Sequence, residues 1–305
     1  MKNVDKEFSR LVLGTAQLGM PYGIANRTGK PDYKKAYDIV HAAWEGGVRC
    51  FDTAQAYGDS ERVLGRALSS LRKPLQEPLI VTKLDPMLDI TNPKATDKAI
   101  QGSLRRLKVE RLYALMFHFE ELPPSLALNN GLKDLLSGYR RDGLIGHIGI
   151  SVYTPKSALQ ALQCDLIDLV QVPTNVLDRR FLNAGVFDLA MEMGKEIFIR
   201  SVFLQGLLLM DSDRLPASMD FAAPVVRSFT NVSESAGVPR IVLAFGYVRL
   251  RFPRTRVIFG AETVDQVENN LKNWCRDIPD GLLSKIDENL SNTDEQIVDP
   301  RQWPH

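Results

Sequence analysis

The sequence predicts a single (β/α)8 barrel, the TIM-barrel architecture, running through all 305 residues. Eight short apolar runs recur along the chain, and helix-period segments separate them. Several runs are near-continuously apolar, as strands buried on both faces of a parallel sheet must be. Eight strand–helix units in about 260 residues match the size of such a barrel. An open doubly wound sheet is the competing architecture. It favours a GxGxxG turn after the first strand, and Gly14-Thr15-Ala16-Gln17-Leu18-Gly19 does not supply one.

The first strand is predicted over 11–15, followed by a Gly- and Pro-containing loop, 19–31, that holds Tyr22. A helix over 33–45 aligns Ala36, Ile39, Val40 and Ala43 on one face. The second strand, 49–53, carries Cys50 into the core and delivers Asp52 to a turn containing Tyr57 and Gly58. A helix over 60–71 aligns Val63, Leu64, Ala67 and Leu71. The third strand, 79–83, ends on Lys83, and a helix over 96–107 presents Ile100, Leu104 and Leu107. The fourth strand, 112–118, ends on His118, before a long loop, 119–130, containing Pro123-Pro124. Strands over 147–152, 168–173 and 197–203 follow. A loop over 206–223, rich in Leu, Met, Asp and Pro, leads to helices over 225–236 and 238–251 and a last strand over 257–260. Barrel enzymes place their chemistry at the C-terminal strand ends, where long loops wall the pocket. No stretch reads as an interdomain linker, a low-complexity tract or a short repeat.

The chain is 44% hydrophobic and 25% charged, an ordinary globular composition. A formal net charge of +1 provides no field toward nucleic acid or an anionic membrane, so neither is expected as a partner. Cys50, Cys164 and Cys275 lie far apart without a CxxC pattern. No disulfide framework or metal site is expected, and a reducing compartment fits. The N-terminal MKNVDKEFSR is polar, and no run of about 18 apolar residues occurs, so a cytoplasmic protein is expected.

Asp52, Tyr57, Lys83 and His118 fall at three consecutive strand–loop junctions. This set, with the string AYGDSERVLGRAL around and after Tyr57, resembles the aldo-keto reductase superfamily. The resemblance spans essentially the whole chain and implies reduction of an aldehyde, ketone or sugar carbonyl with a nicotinamide cofactor, or the reverse. Such a reaction needs a proton donor beside the carbonyl oxygen, with a pKa drawn toward the working pH. Tyr57 would be the donor. Lys83 would lower the phenol pKa, Asp52 would hold Lys83, and His118 would hydrogen-bond the carbonyl oxygen.

The same resemblance implies the cofactor contacts. Gly14 and Thr15 belong to the first-strand motif, where Ala16 stands in place of a frequent large aromatic. Ser151 and Gln171 would hold the nicotinamide amide, and Val152 replaces an Asn that commonly shares that task. Asn175 would organise the loop after the sixth strand. Ser201, Phe203 and Gly206 would follow the pyrophosphate, with Val202 standing for the usual Pro. Gly260, Glu262, Gln266 and Asn270 would grip the adenosine end. Members that prefer NADP place Arg or Lys in that loop. Here Glu262 stands there, with no basic residue between Arg256 and Lys272, which tilts the expectation toward NADH within NAD(P)H. Tyr22, Asn26 and Arg179 are polar candidates near the mouth that suit a sugar, and the Trp303 tail and Pro123-Pro124 are candidate pocket walls.

Two other readings remain open in the sequence. Lys83 could form a Schiff base with a carbonyl substrate, as in barrel aldolases. The chain could also be a cofactor-binding regulatory or scaffold protein of the same fold with little turnover. The sequence is silent on oligomeric state and on the substrate.

Overall fold

The computed structural model describes residues 8–71, 77–119, 130–290 and 293–304. Eight parallel strands close into one barrel in chain order. They are β1 (Leu11–Gly14), β2 (Cys50–Asp52), β3 (Leu79–Lys83), β4 (Leu112–Phe117), β5 (Ile145–Ser151), β6 (Leu169–Pro173), β7 (Glu196–Arg200) and β8 (Arg256–Phe259). Closure is made by β1, which pairs with β2 on one side and β8 on the other.

Strand side chains alternate between faces, and residues paired across parallel strands share a face. The pairs Val12↔Cys50, Val12↔Ile258 and Val81↔Ala114 therefore define the inward set. Val12, Cys50, Val81, Ala114, Met116, Leu169, Phe198 and Ile258 fill the barrel as a separate buried cluster. β5 contributes Gly149 instead of a bulky residue. A Cβ there would lie 3.1 Å from Met116 Cγ and 2.8 Å from the Leu169 carbonyl oxygen. The larger core lies outside the barrel, between outward strand residues and the apolar helix faces.

Two residues further along each strand, the same inward face carries the polar layer. Cys50 leads to Asp52, Val81 to Lys83, Met116 to His118, Leu169 to Gln171 and Phe198 to Arg200. On β5, Gly149 leads to Ser151. The apolar plug is thus a floor, and the chemistry stands one layer above it.

Most strand ends fall within one or two residues of expectation. The exception is β7, expected to reach 203 but ending at Arg200. Ser201 has φ 63°, a left-handed backbone that stops the ladder. The helix expected over 96–107 begins earlier, at Pro93. Asn92 caps it by accepting from the Lys94 and Ala95 N–H groups, and Pro93 suits the first turn. The segment 206–223, expected as a plain loop, contains short 3₁₀ turns at Leu204–Leu209, Ser212–Arg214 and Ala217–Ala222. Pro123-Pro124 lies outside the described residues. Among the described residues no helix is long and apolar enough to cross a membrane. Cys50 is buried in the plug as expected.

Candidate active site

Asp52 and Lys83 are the last residues of β2 and β3 and face inward together. The Lys83 ammonium donates to Asp52 Oδ2 at 2.6 Å and to the Thr53 carbonyl at 3.2 Å. Lys83 is fully buried, so burial pushes its pKa down, while Asp52 opposes that shift. Asp52 Oδ1 accepts from Gln171 Nε2 at 2.9 Å, and Gln171 Oε1 accepts from Ser151 Oγ at 3.1 Å. This chain of contacts links β3, β2, β6 and β5 across the barrel mouth. It satisfies two charges that would otherwise be costly to bury.

Tyr57 stands on the turn after β2. Its ring lies 5.2 Å from Lys83 Nζ and meets the His118 ring edge-on, with centroids 6.0 Å apart. Burial, then the Asp52 charge, pushes the phenol well above its ordinary pKa of 10, with Arg200 opposing. This corrects the expectation of a phenol drawn down by Lys83: in the folded site burial and the Asp52 charge set the opposite direction. The phenol is therefore protonated at neutral pH, the form a proton donor needs. The buried, ion-paired ammonium is also poorly placed for the Schiff-base alternative, since a nucleophilic amine must reach its substrate.

His118 is pushed down to about 3, first by burial and then by the charges of Lys83 and Arg200. Its Nδ1 is buried with no hydrogen-bond partner among the described residues. The imidazole is neutral at working pH and can offer a hydrogen bond. A stability consequence follows from this shift. Unfolded His118 takes up a proton near its ordinary value of 6.5, whereas the folded protein resists until about 3. Stability from this group is complete above 6.5 and is lost as pH falls toward 3. His118→Asn should flatten that part of the stability–pH curve in urea unfolding at pH 7.5 and 5. An unchanged slope would show that the imidazole is not held neutral.

A cavity of about 310 Å³ opens over this layer. Its inner end is lined by Gly14, Thr15, Asp52, Tyr57 and Gln171. Ser201, Phe203 and Gly206 form one wall, and Gly260, Glu262, Gln266 and Asn270 form the far end. Lys83, His118 and Ser151 are not on its lining. Gln266 Oε1 accepts from the Glu262 N–H at 2.7 Å, and Asn270 Nδ2 donates to the Gly260 carbonyl at 3.4 Å. Both side chains hold the loop after β8 in shape. Burial raises the Glu262 pKa, and no cation pairs with it among the described residues.

Other expectations are redistributed. Asn175 organises its loop as expected: it accepts from the Leu177 and Asp178 N–H groups and donates to the Ser201 carbonyl. Tyr22 lines the cavity. Asn26 instead folds its own loop, bonding to the Tyr22 and Gly29 backbone. Arg179 is buried away from the mouth, donating to the carbonyls of Ile286 and Asp287. Trp303 is buried against the tail, its indole donating to the Ile297 carbonyl, and does not line the cavity. Sequence reasoning missed Gln17 and Arg200, both lining residues. For Arg200 the inward period of β7 was the available signal.

The site fits a nicotinamide cofactor on its own geometry. Ser201, Leu204, Gln205 and Gly206 all have positive φ, which curls the chain after β7 around one wall of the cavity. At Gly206, with φ 94°, a Cβ would lie 2.5 Å from the Ala25 Cβ, so this loop and the loop after β1 meet over the cavity. The buried His118 Nδ1, without a hydrogen-bond partner among the described residues, adds a polar atom that a ligand could meet.

Comparison with known proteins agrees with this geometry. A chain from Escherichia coli (strain K12), the NADH-specific methylglyoxal reductase, is 25% identical over 222 residues, covering 67% of this chain and 66% of its own. An uncharacterized oxidoreductase of Mycobacterium tuberculosis is 34% identical over 154 residues, 48% of this chain and 43% of its own. The chain thus spans less than two thirds of the length of these curated relatives. The holo form of the aldo-keto reductase AKR11C1 from Bacillus halodurans superposes with a TM-score of 0.74 at 20% identity, covering 95% of both chains, a likeness of fold. Residues 10–290 match the aldo/keto reductase family, which takes in every strand of the barrel and each of the four residues at its mouth. The chain is a member of the aldo/keto reductase family.

Proposed function

We propose that the protein reduces a small aldehyde, ketone or sugar carbonyl to an alcohol, or runs the reverse, with NADH as its preferred cofactor. The observation that carries this reading is Tyr57 set edge-on to His118 above the buried Asp52–Lys83 pair. Bound nicotinamide supplies the hydride. Tyr57 gives its proton to the carbonyl oxygen, and His118 orients that oxygen and shares its developing charge. Lys83, paired with Asp52 and 5.2 Å from the Tyr57 ring, would favour the phenolate as it forms. Ser151 and Gln171 would hold the carboxamide, the wall from Ser201 to Gly206 would follow the pyrophosphate, and the loop after β8 would take the adenosine.

The preference for NADH rests on charge. Among the described residues lining the cavity the one cationic side chain is Arg200, at the inner end, and Glu262 stands at the outer end. A carboxylate accepts from a free ribose hydroxyl and repels a 2′-phosphate. The name of the Escherichia coli relative, an NADH-specific reductase, lends the same support. Titration with NADH and NADPH, read by nicotinamide fluorescence, tests both levels. Tighter NADH binding is expected, with Glu262→Arg shifting the ratio toward NADPH by about tenfold or more. Equal ratios in both proteins would remove Glu262 from selectivity. Binding of neither cofactor would overturn the reductase reading itself.

A further inference from the structure

We propose that Arg200 is a subsite for a negatively charged group on the substrate, so that the carbonyl compound taken by this site carries a carboxylate or a phosphate. This rests on the reductase reading above and names its substrate class.

Arg200 is the last residue of β7 and lies two positions beyond Phe198, a member of the apolar plug. It therefore belongs to the same inward layer as Asp52, Lys83 and Gln171, and it lines the cavity. Its charge reaches the reacting groups, since it acts on Tyr57, Lys83 and His118 alike.

Among the described residues its donors are only partly met. The guanidinium packs against Tyr153 at 4.3 Å. One N–H donates to the Val152 carbonyl at 3.1 Å, and another makes a long contact of 3.4 Å with Ser201 Oγ. Among the described residues no carboxylate pairs with it. A guanidinium carries five donors in a planar fork suited to two oxygens of one anion. Arg180 and Arg256, similarly half-buried, each lie against a carboxylate, Asp178 and Glu196 respectively. Asp52 is paired with Lys83, and His118 is held neutral, so among the described residues lining the inner end of the cavity Arg200 carries the one positive charge without a carboxylate against it. The stack on Tyr153 and the bond to Val152 fix that charge in place before any ligand arrives.

The test pairs each anionic carbonyl with a neutral counterpart: 4-oxobutanoate with its methyl ester, and glyceraldehyde 3-phosphate with glyceraldehyde. In the unsubstituted protein kcat/KM should favour the anionic member of at least one pair by about tenfold or more, whichever pair marks the anion type. Arg200→Gln should bring that ratio near one, and Arg200→Lys should retain part of it. Cofactor Kd is measured alongside. A loss shared equally by both members, with weakened NADH binding, would assign Arg200 to the cofactor and overturn the proposal. So would turnover of the neutral members with no preference, which leaves the reductase reading standing. If no carbonyl is turned over, that reading fails, and binding decides for Arg200. Succinate and inorganic phosphate are then titrated against the NADH complex by fluorescence. Arg200-dependent binding of either supports the anion subsite, and no binding overturns it.

Discussion

Tyr57→Phe should lower kcat by about 10²- to 10⁴-fold, the range for loss of a positioned general acid, while NADH affinity stays within about twofold. The phenyl ring keeps the edge-on contact with His118 and the packing near Lys83. Only the hydroxyl is lost. Because burial holds the phenol above its ordinary pKa, reduction should also persist as the pH rises through 10 in the unsubstituted protein. Steady-state kinetics of the variant, with a cofactor titration on the same sample, separates the two effects. Full activity in the phenylalanine variant would mean that another group, or water, delivers the proton.

The second large effect is on stability. Lys83→Met keeps the side-chain volume but leaves Asp52, only 3% exposed, with a buried charge and no cation. Breaking a buried pair from one side costs about 3–5 kcal/mol. The hydrogen bond from Gln171 stays but does not neutralise the charge. The urea midpoint should fall accordingly. Asp52→Asn in the same chain should restore most of it, because an amide tolerates the site better than an unpaired carboxylate. A single variant as stable as the parent would show that the carboxylate takes up a proton or finds water, and that the pair does not constrain the fold.

The barrel and the four residues at its mouth were legible in the sequence for a local reason. Each strand is a short apolar run that stops at a polar residue, and 3.6-period segments separate the runs. Asp52, Lys83 and His118 each terminate such a run, so position alone marked them. Arg200 terminates one too, but the apolar residues at 202–204 continue past it and hide the strand end. The left-handed backbone at Ser201 that truncates β7 has no signature in a non-glycine residue. Arg179 was misplaced for the opposite reason. Its partners are backbone carbonyls 107 and 108 residues away, which local pattern cannot foresee. The Tyr57 pKa was misjudged because burial and the Asp52 charge set its direction, a property of three-dimensional packing.

The alternation between plug and polar layer has a consequence for how this protein can change. Asp52, Lys83, Gln171 and Arg200 are each indexed by a count of two from a floor residue in their own strand. A single residue inserted upstream within β2 or β3 would swing Asp52 or Lys83 out of the mouth and into the helix layer, deleting the chemistry and burying a charge at once. A residue inserted just past Thr53 or Leu84 leaves that index untouched and alters only the rim. Variation in length is thus confined to the outer side of the strand ends. A lineage can remodel what the pocket admits by adding or removing loop residues while the polar layer stays in register.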